Sequence, residues 1–164
     1  MKLKWTLPVL LLSCAAVNTR ATESESSCKS VHAFLREQQA TTGCPSTFCA
    51  TGEIDGNHGL NGTTRFVLDS SAPAPATAPI VSLSYSGMFE IVAADGTLTL
   101  RETGINTPRP AGGRMLSSVA PVINGTGRFA GATGTIFFNG INPTPGVFQT
   151  DVSGELCFVQ AGDH

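Results

Sequence analysis

From Pro45 to the C-terminus, apolar and polar residues alternate with a period of two, and clusters of Gly, Pro and Asn interrupt them. The longest case is segment 80–92. There Val81, Leu83, Tyr85, Phe89 and Ile91 fall on one face, and Ser82, Ser84, Ser86, Met88 and Glu90 on the other. Such alternation marks a strand with one buried face. Segments 46–53, 63–69, 97–103, 115–123, 132–139 and 147–159 share it. Asp95-Gly96 reads as a tight hairpin turn. The Pro-rich stretches 69–79 and 104–114 read as long loops.

Before Pro45 the period changes. Cys28, Val31 and Leu35 recur at three and four residues with Phe34 beside them, Ser26 or Ser27 can cap a helix, and Gly43 can end it. The pattern therefore predicts one N-terminal helix over 28–40, followed by seven or eight strands. That spacing suits an all-β antiparallel barrel or sandwich. There is no long-period repeat.

The N-terminus changes the picture of how much chain folds. Lys2 and Lys4 precede an apolar run from Trp5 to Ala16. The run falls short of the roughly 20 residues a membrane span needs, so no transmembrane segment is expected. It has the form of a secretory signal, with small residues for cleavage after Ala16 or Ala21. Residues 1–21 are expected to be the signal peptide, 22–44 a polar segment with the helix, and 45–164 the barrel. An alternative is that Leu-Leu-Ser-Cys, ending at Cys14, acts as a lipoprotein box and leaves a lipid-anchored protein. Secretion is the main expectation.

With Lys2, Lys4 and Arg20 removed, seven of the ten basic residues remain against twelve acidic ones, a net charge of about −5. No basic cluster is present. Nucleic acid, whose binding rests on phosphate neutralisation, is excluded as a partner.

Cys28, Cys44, Cys49 and Cys157 form an even set in an exported chain, which predicts two disulfides. The spacing of Cys44 and Cys49 does not suit zinc, and no metal is expected. Three pairings are possible. The favoured one joins Cys28 to Cys44, pinning the helix across its own loop. Cys49–Cys157 then clasps the first strand to the last, because both cysteines share the less apolar face.

The stretch 124–140, "NGTGRFAGATGTIFFNG", first suggests a phosphate loop, since Gly125-x-Gly127-x-x-Ala130 meets the loose dinucleotide pattern. That reading needs a helix after the glycines and more chain than remains. The β-branched and aromatic residues that follow predict a strand instead. A tight turn explains the glycines, and Phe129 can point inward from it.

"GTGRFAGATGTIFF", preceded by "VAPVI" and the "ADGTLTL" hairpin, resembles the allene oxide cyclase and dirigent-like superfamily. The resemblance runs over roughly 82–158 and is strongest at 124–134. It implies a small closed antiparallel barrel of about eight strands with an apolar interior. It further implies a hydrophobic small molecule as partner and a cyclase or isomerase that needs no cofactor. The alternative is a non-catalytic secreted binding or interaction protein. A homo-oligomer stays open in either case. No catalytic position transfers residue by residue.

Hydrolytic triads find little support, as the mature chain has only His32, His58 and His164. Glu53, Asp55 and Asn57 faintly suggest a calcium loop but lack a full ligand series. More telling are Glu102, which shares the parity of Leu98 and Leu100, and Tyr85, which shares that of Leu83 and Phe89. A carboxyl desolvated in an apolar cavity has a raised pKa and can exchange protons, and a nearby phenol can orient an oxygen. Tyr85 and Glu102 are thus the catalytic candidates, with Phe66, Leu83 and Phe89 as ligand contacts. The plainer alternative has Glu102 reaching water at a strand end near Gly104. Asn61-Gly-Thr and Asn124-Gly-Thr fit glycosylation acceptors in a eukaryotic source.

Overall fold

The computed structural model describes residues 26–74 and 82–159. Their elements are eight strands and one 3-10 turn. In chain order these are β1 (Ser26–Gln39), β2 (Cys49–Gly56), β3 (Gly62–Pro73), β4 (Leu83–Ala93), β5 (Gly96–Pro108) and β6 (Arg114–Gly125), followed by the turn (Gly127–Phe129), β7 (Thr133–Asn142) and β8 (Val147–Val159). Each strand pairs antiparallel with the next, and β1 pairs with β8, so the sheet closes into a barrel with no free edge. The β1–β8 seam runs from Ser26 opposite Val159 to Gln38 opposite Val147.

The period-two patterns aim one side chain in two inward. Leu98, Leu100 and Glu102 of β5 are buried, as are Phe89 and Ile91 of β4, and Val152 and Leu156 of β8. The barrel is filled unevenly. Phe129, Leu60, Leu98, Ile91 and Phe89 pack solidly at the end that carries the β2–β3, β4–β5 and β6–β7 connections. Phe129 is 0% exposed and plugs that end. Its turn docks on the β4–β5 hairpin through Arg128 N–H to the Asp95 carbonyl, 3.0 Å, and Thr126 N–H to the Thr97 carbonyl, 2.8 Å. Gly127 (φ 57°) allows this approach, because a Cβ there would lie 2.0 Å from the Asp95 oxygen.

The N-terminal helix is replaced by a strand. Val31, Leu35 and Glu37 are buried with Ala33 half-buried between them, while His32, Arg36 and Gln38 are exposed. Closure decides the matter, since β2 and β8 would otherwise each present an unpaired edge, and β1 bonds to both. The cysteine pairing changes with it. Cys28 sits opposite Cys157 across the seam and is bonded to it, and Cys44 is bonded to Cys49 within the β1–β2 connection. The favoured Cys28–Cys44 and Cys49–Cys157 pairing is therefore wrong, because the strand at the seam is β1 and not the one that starts at Cys49.

Smaller differences follow the register. The β4–β5 turn is Ala94-Asp95, one residue earlier than expected, since Ala93 pairs with Gly96. The loop expected at 104–114 shrinks to 109–113, as β5 runs on to Pro108. The start of the loop expected at 69–79 belongs to β3, which runs to Pro73. The signal peptide, Cys14 and His164 lie outside the described residues.

Candidate functional site

The end of the barrel opposite Phe129 is hollow. A cavity of about 400 Å³ opens there beside the β1–β2, β5–β6 and β7–β8 connections. Its apolar wall includes Phe48, Ala50, Phe66, Leu68, Leu83, Leu116 and Phe148. The rings form a run: Phe148 meets Phe48 at 5.9 Å, Phe48 meets Phe66 at 6.3 Å, and Phe66 meets Tyr85 at 5.9 Å. The Cys44–Cys49 bond holds the short segment that carries Phe48. Asn142 donates to the carbonyls of Thr144 and Val147, bracing the β7–β8 connection. Volume, aromatic lining and a few polar groups are the ordinary makings of a small-molecule site.

The polar groups come in two clusters. On β5, Glu102 is 5% exposed, and its Oε1 accepts from the Tyr85 hydroxyl at 2.8 Å and the Ser118 hydroxyl at 2.7 Å. Gly104 makes this possible. A Cβ there would lie 2.6 Å from the Tyr85 oxygen and 2.5 Å from Ser118 Cβ, so only glycine leaves room for the phenol beside the carboxyl. On β1, Glu37 is 6% exposed, and its Oε1 accepts from the Thr64 hydroxyl at 2.8 Å. In a ring of eight strands β1 and β5 stand opposite one another. The two carboxyls therefore face the cavity from opposed walls.

Burial disfavours the charged form of each acid. It pushes Glu37 up to about 8, with the Thr64 hydroxyl pulling the other way and the charge of Glu102 adding to the rise. Burial likewise raises Glu102, against the pull of Ser118 and Tyr85. Tyr85 is raised by burial and then by the neighbouring carboxylate charge, so it stays a phenol. At neutral pH Glu37 is thus mainly a neutral acid. Arg114, at the cavity, holds the side-chain and main-chain oxygens of Asn106.

The residues singled out from sequence divide as follows. Tyr85 and Glu102 are brought into contact, and Glu102 sits in mid-strand opposite Gly87, not at a strand end in water. Phe66 and Leu83 line the cavity, Leu83 at its mouth with 39% exposure. Phe89 lies beneath it, 1% exposed and packed 5.0 Å from Phe138, and is part of the floor's packing. Asn61 and Asn124 are exposed, and Asn61 exchanges hydrogen bonds with the backbone of Gly56. Asn57 accepts from the His32 N–H and donates to the Ser30 carbonyl, so its side chain serves the turn and not a cation. His58 is exposed at φ 50° in the β2–β3 connection. Among the described residues, one cluster has metal-ligand proximity, Cys28, Glu155 and Cys157, and its two sulfurs are bonded to each other.

Glu37 was missed. A helix would have left it in solvent. The signal was the alternation Val31-x-Ala33-x-Leu35-x-Glu37, which places it on the inner face once β1 is a strand.

The solved structures to which the chain is similar include two dirigent proteins. One is the pterocarpan synthase dirigent protein GePTS1, with 12% identity, a TM-score of 0.34, and coverage of 93% of this chain and 98% of that one. The other is the pterocarpan synthase dirigent protein PsPTS1, with 12% identity, a TM-score of 0.34, and coverage of 82% of this chain and 97% of that one. No family model and no curated protein matches the sequence. It is the strand order of this chain that establishes the barrel, and at such low identity no activity transfers.

Proposed function

We propose that the barrel binds a hydrophobic small molecule in its open end and acts on it without a cofactor, as a cyclase or isomerase. In this reading Glu102 exchanges a proton with the ligand, and Tyr85 and Ser118 fix its orientation. One observation carries the reading: a desolvated carboxyl, held through one oxygen by two hydroxyls, stands in the wall of an aromatic cavity. Burial raises such a group above the ordinary carboxylate range, which suits it to exchanging a proton, and the fixed rings would hold a flexible substrate in one conformation. Export from the cell belongs to the same proposal and is supported by the two disulfides, which suit an oxidising compartment.

A non-catalytic binding protein is the second reading. It is favoured by the Tyr85 hydroxyl, which is spent on Glu102 and gives the pair a purely structural use. Incubation with a candidate ligand, followed by chromatography and NMR of the extracted material, separates the two, since an isomer shares its parent's mass. A ligand recovered as an altered isomer supports catalysis, and one recovered unchanged supports binding. Once a substrate is in hand, Glu102→Gln should lower turnover by about a hundredfold, the scale of one acid-base group. Tyr85→Phe should lower it less. Unchanged rates in both variants would remove these residues from the mechanism.

A further inference from the structure

Two carboxyls buried in one cavity are an expense for the fold that a cation within the chain would normally offset. Here the hydrogen bonds described for Glu37 and Glu102 come from neutral hydroxyls, those of Thr64, Tyr85 and Ser118. Both ion pairs among the described residues, Arg101–Asp69 and Arg128–Asp95, lie on the outer surface. Arg114 is engaged with Asn106. Around the carboxyls stands aromatic surface from Phe48, Phe66, Tyr85 and Phe148. Rings attract cations over their π faces, and carboxylates attract them directly.

Resting on the cavity reading above, the geometry points to an organic monocation as the ligand class, an amine or quaternary ammonium with an apolar body, held between Glu37 and Glu102. The charges agree. Among the described residues, the titratable groups facing Glu37 across the cavity are Glu102, Tyr85 and Arg114, while neighbouring Arg36 and Gln38 on its own strand point outward. With both acids ionised, the two carboxylates outnumber the one cationic side chain, Arg114, among the described lining residues, and a bound cation relieves that excess of negative charge. A bound cation favours the ionised acids, so it enters with release of protons below about pH 8, the region where Glu37 titrates. Affinity therefore rises with pH.

The test uses a permanent cation, benzyltrimethylammonium, and its neutral carbon isostere neopentylbenzene, titrated into the intact mature protein by calorimetry at pH 6 and pH 9. The ammonium ion should bind at least tenfold more tightly at pH 9 than at pH 6, and at least tenfold more tightly than neopentylbenzene at pH 9. Glu37→Gln should remove most of the pH dependence in a barrel that still melts cooperatively. The comparison of probes on unaltered protein stands whether or not that variant folds. Equal binding of the two probes at pH 9 would overturn the cation inference and leave the hydrophobic cavity reading in place. Binding of neither would overturn both.

Discussion

Glu37 couples the interior of the barrel to pH. Folded, its carboxyl stays protonated up to about pH 8, against a normal value of 4.5. Between those values the native state holds more protons than the unfolded chain, so stability is greatest below the lower value and declines as pH rises towards 8. Glu102 is shifted in the same direction and adds to the slope. The melting temperature should fall by on the order of 10 °C between pH 5 and pH 9, a change of a few kcal/mol. Glu37→Gln should flatten that profile and melt higher than the parent at pH 9. A parent curve that rises over this range would show that the acid is ionised in place. Gly104 acts at the same scale through space alone. Gly104→Ala sets a methyl group against the Tyr85 oxygen and Ser118 Cβ. It should cost about 1–3 kcal/mol in denaturant unfolding and disturb the Tyr85 environment in near-ultraviolet dichroism. Loss of stability with an unchanged Tyr85 signal would place the strain elsewhere.

Elements were legible from sequence where alternation was strong. β4, β5 and β8 carry large apolar residues at most inward positions, interrupted by Gly87, Gly104, Thr150 and Gly154, and their inward faces, including Glu102, follow the expected parity. β1 was not legible, for a physical reason. Its inner face reads Val31, Ala33, Leu35, Glu37, and a small residue and a charged one dilute the period of two. Meanwhile Phe34 lies on the outer face, where the Arg36 guanidinium stacks on it at 4.6 Å, and it completes a false helical stripe with Val31 and Leu35. Long-range pairing with β2 and β8 then overrides local preference, something no window of neighbouring residues contains. The missed acid and the wrong cysteine pairing both descend from that one strand. The glycine-rich turn was legible because its chemistry is local, and Phe129 is its anchor. Phe129→Ala should cost about 3–5 kcal/mol, since it empties the plugged end. Equilibrium unfolding in urea measures this, and a loss below about 1 kcal/mol would mean that Phe129 is not the plug.

At the scale of the whole molecule, the two disulfides have separate tasks. Cys28–Cys157 joins residues 129 apart and ties the two ends of the ring at its seam, whereas Cys44–Cys49 spans a separation of 5. Chain-entropy arguments assign about 5 kcal/mol to the long bridge and about 2 kcal/mol to the short one. Replacing Cys28 and Cys157 by Ser should accordingly lower the melting temperature much more than replacing Cys44 and Cys49. The second pair should instead affect ligand affinity, because the segment it closes carries Phe48 into the cavity wall. A seam double variant as stable as the parent would show that the β1–β8 hydrogen bonds suffice.

The unequal filling of the barrel gives it the character of a cup on a solid base. Substitutions at the rim, in the connections after β1, β5 and β7, leave the base intact and re-cut only the opening. On the proposed reading, a lineage built on this plan can exchange one cargo for another without renegotiating how the vessel is made, and an engineer can do the same.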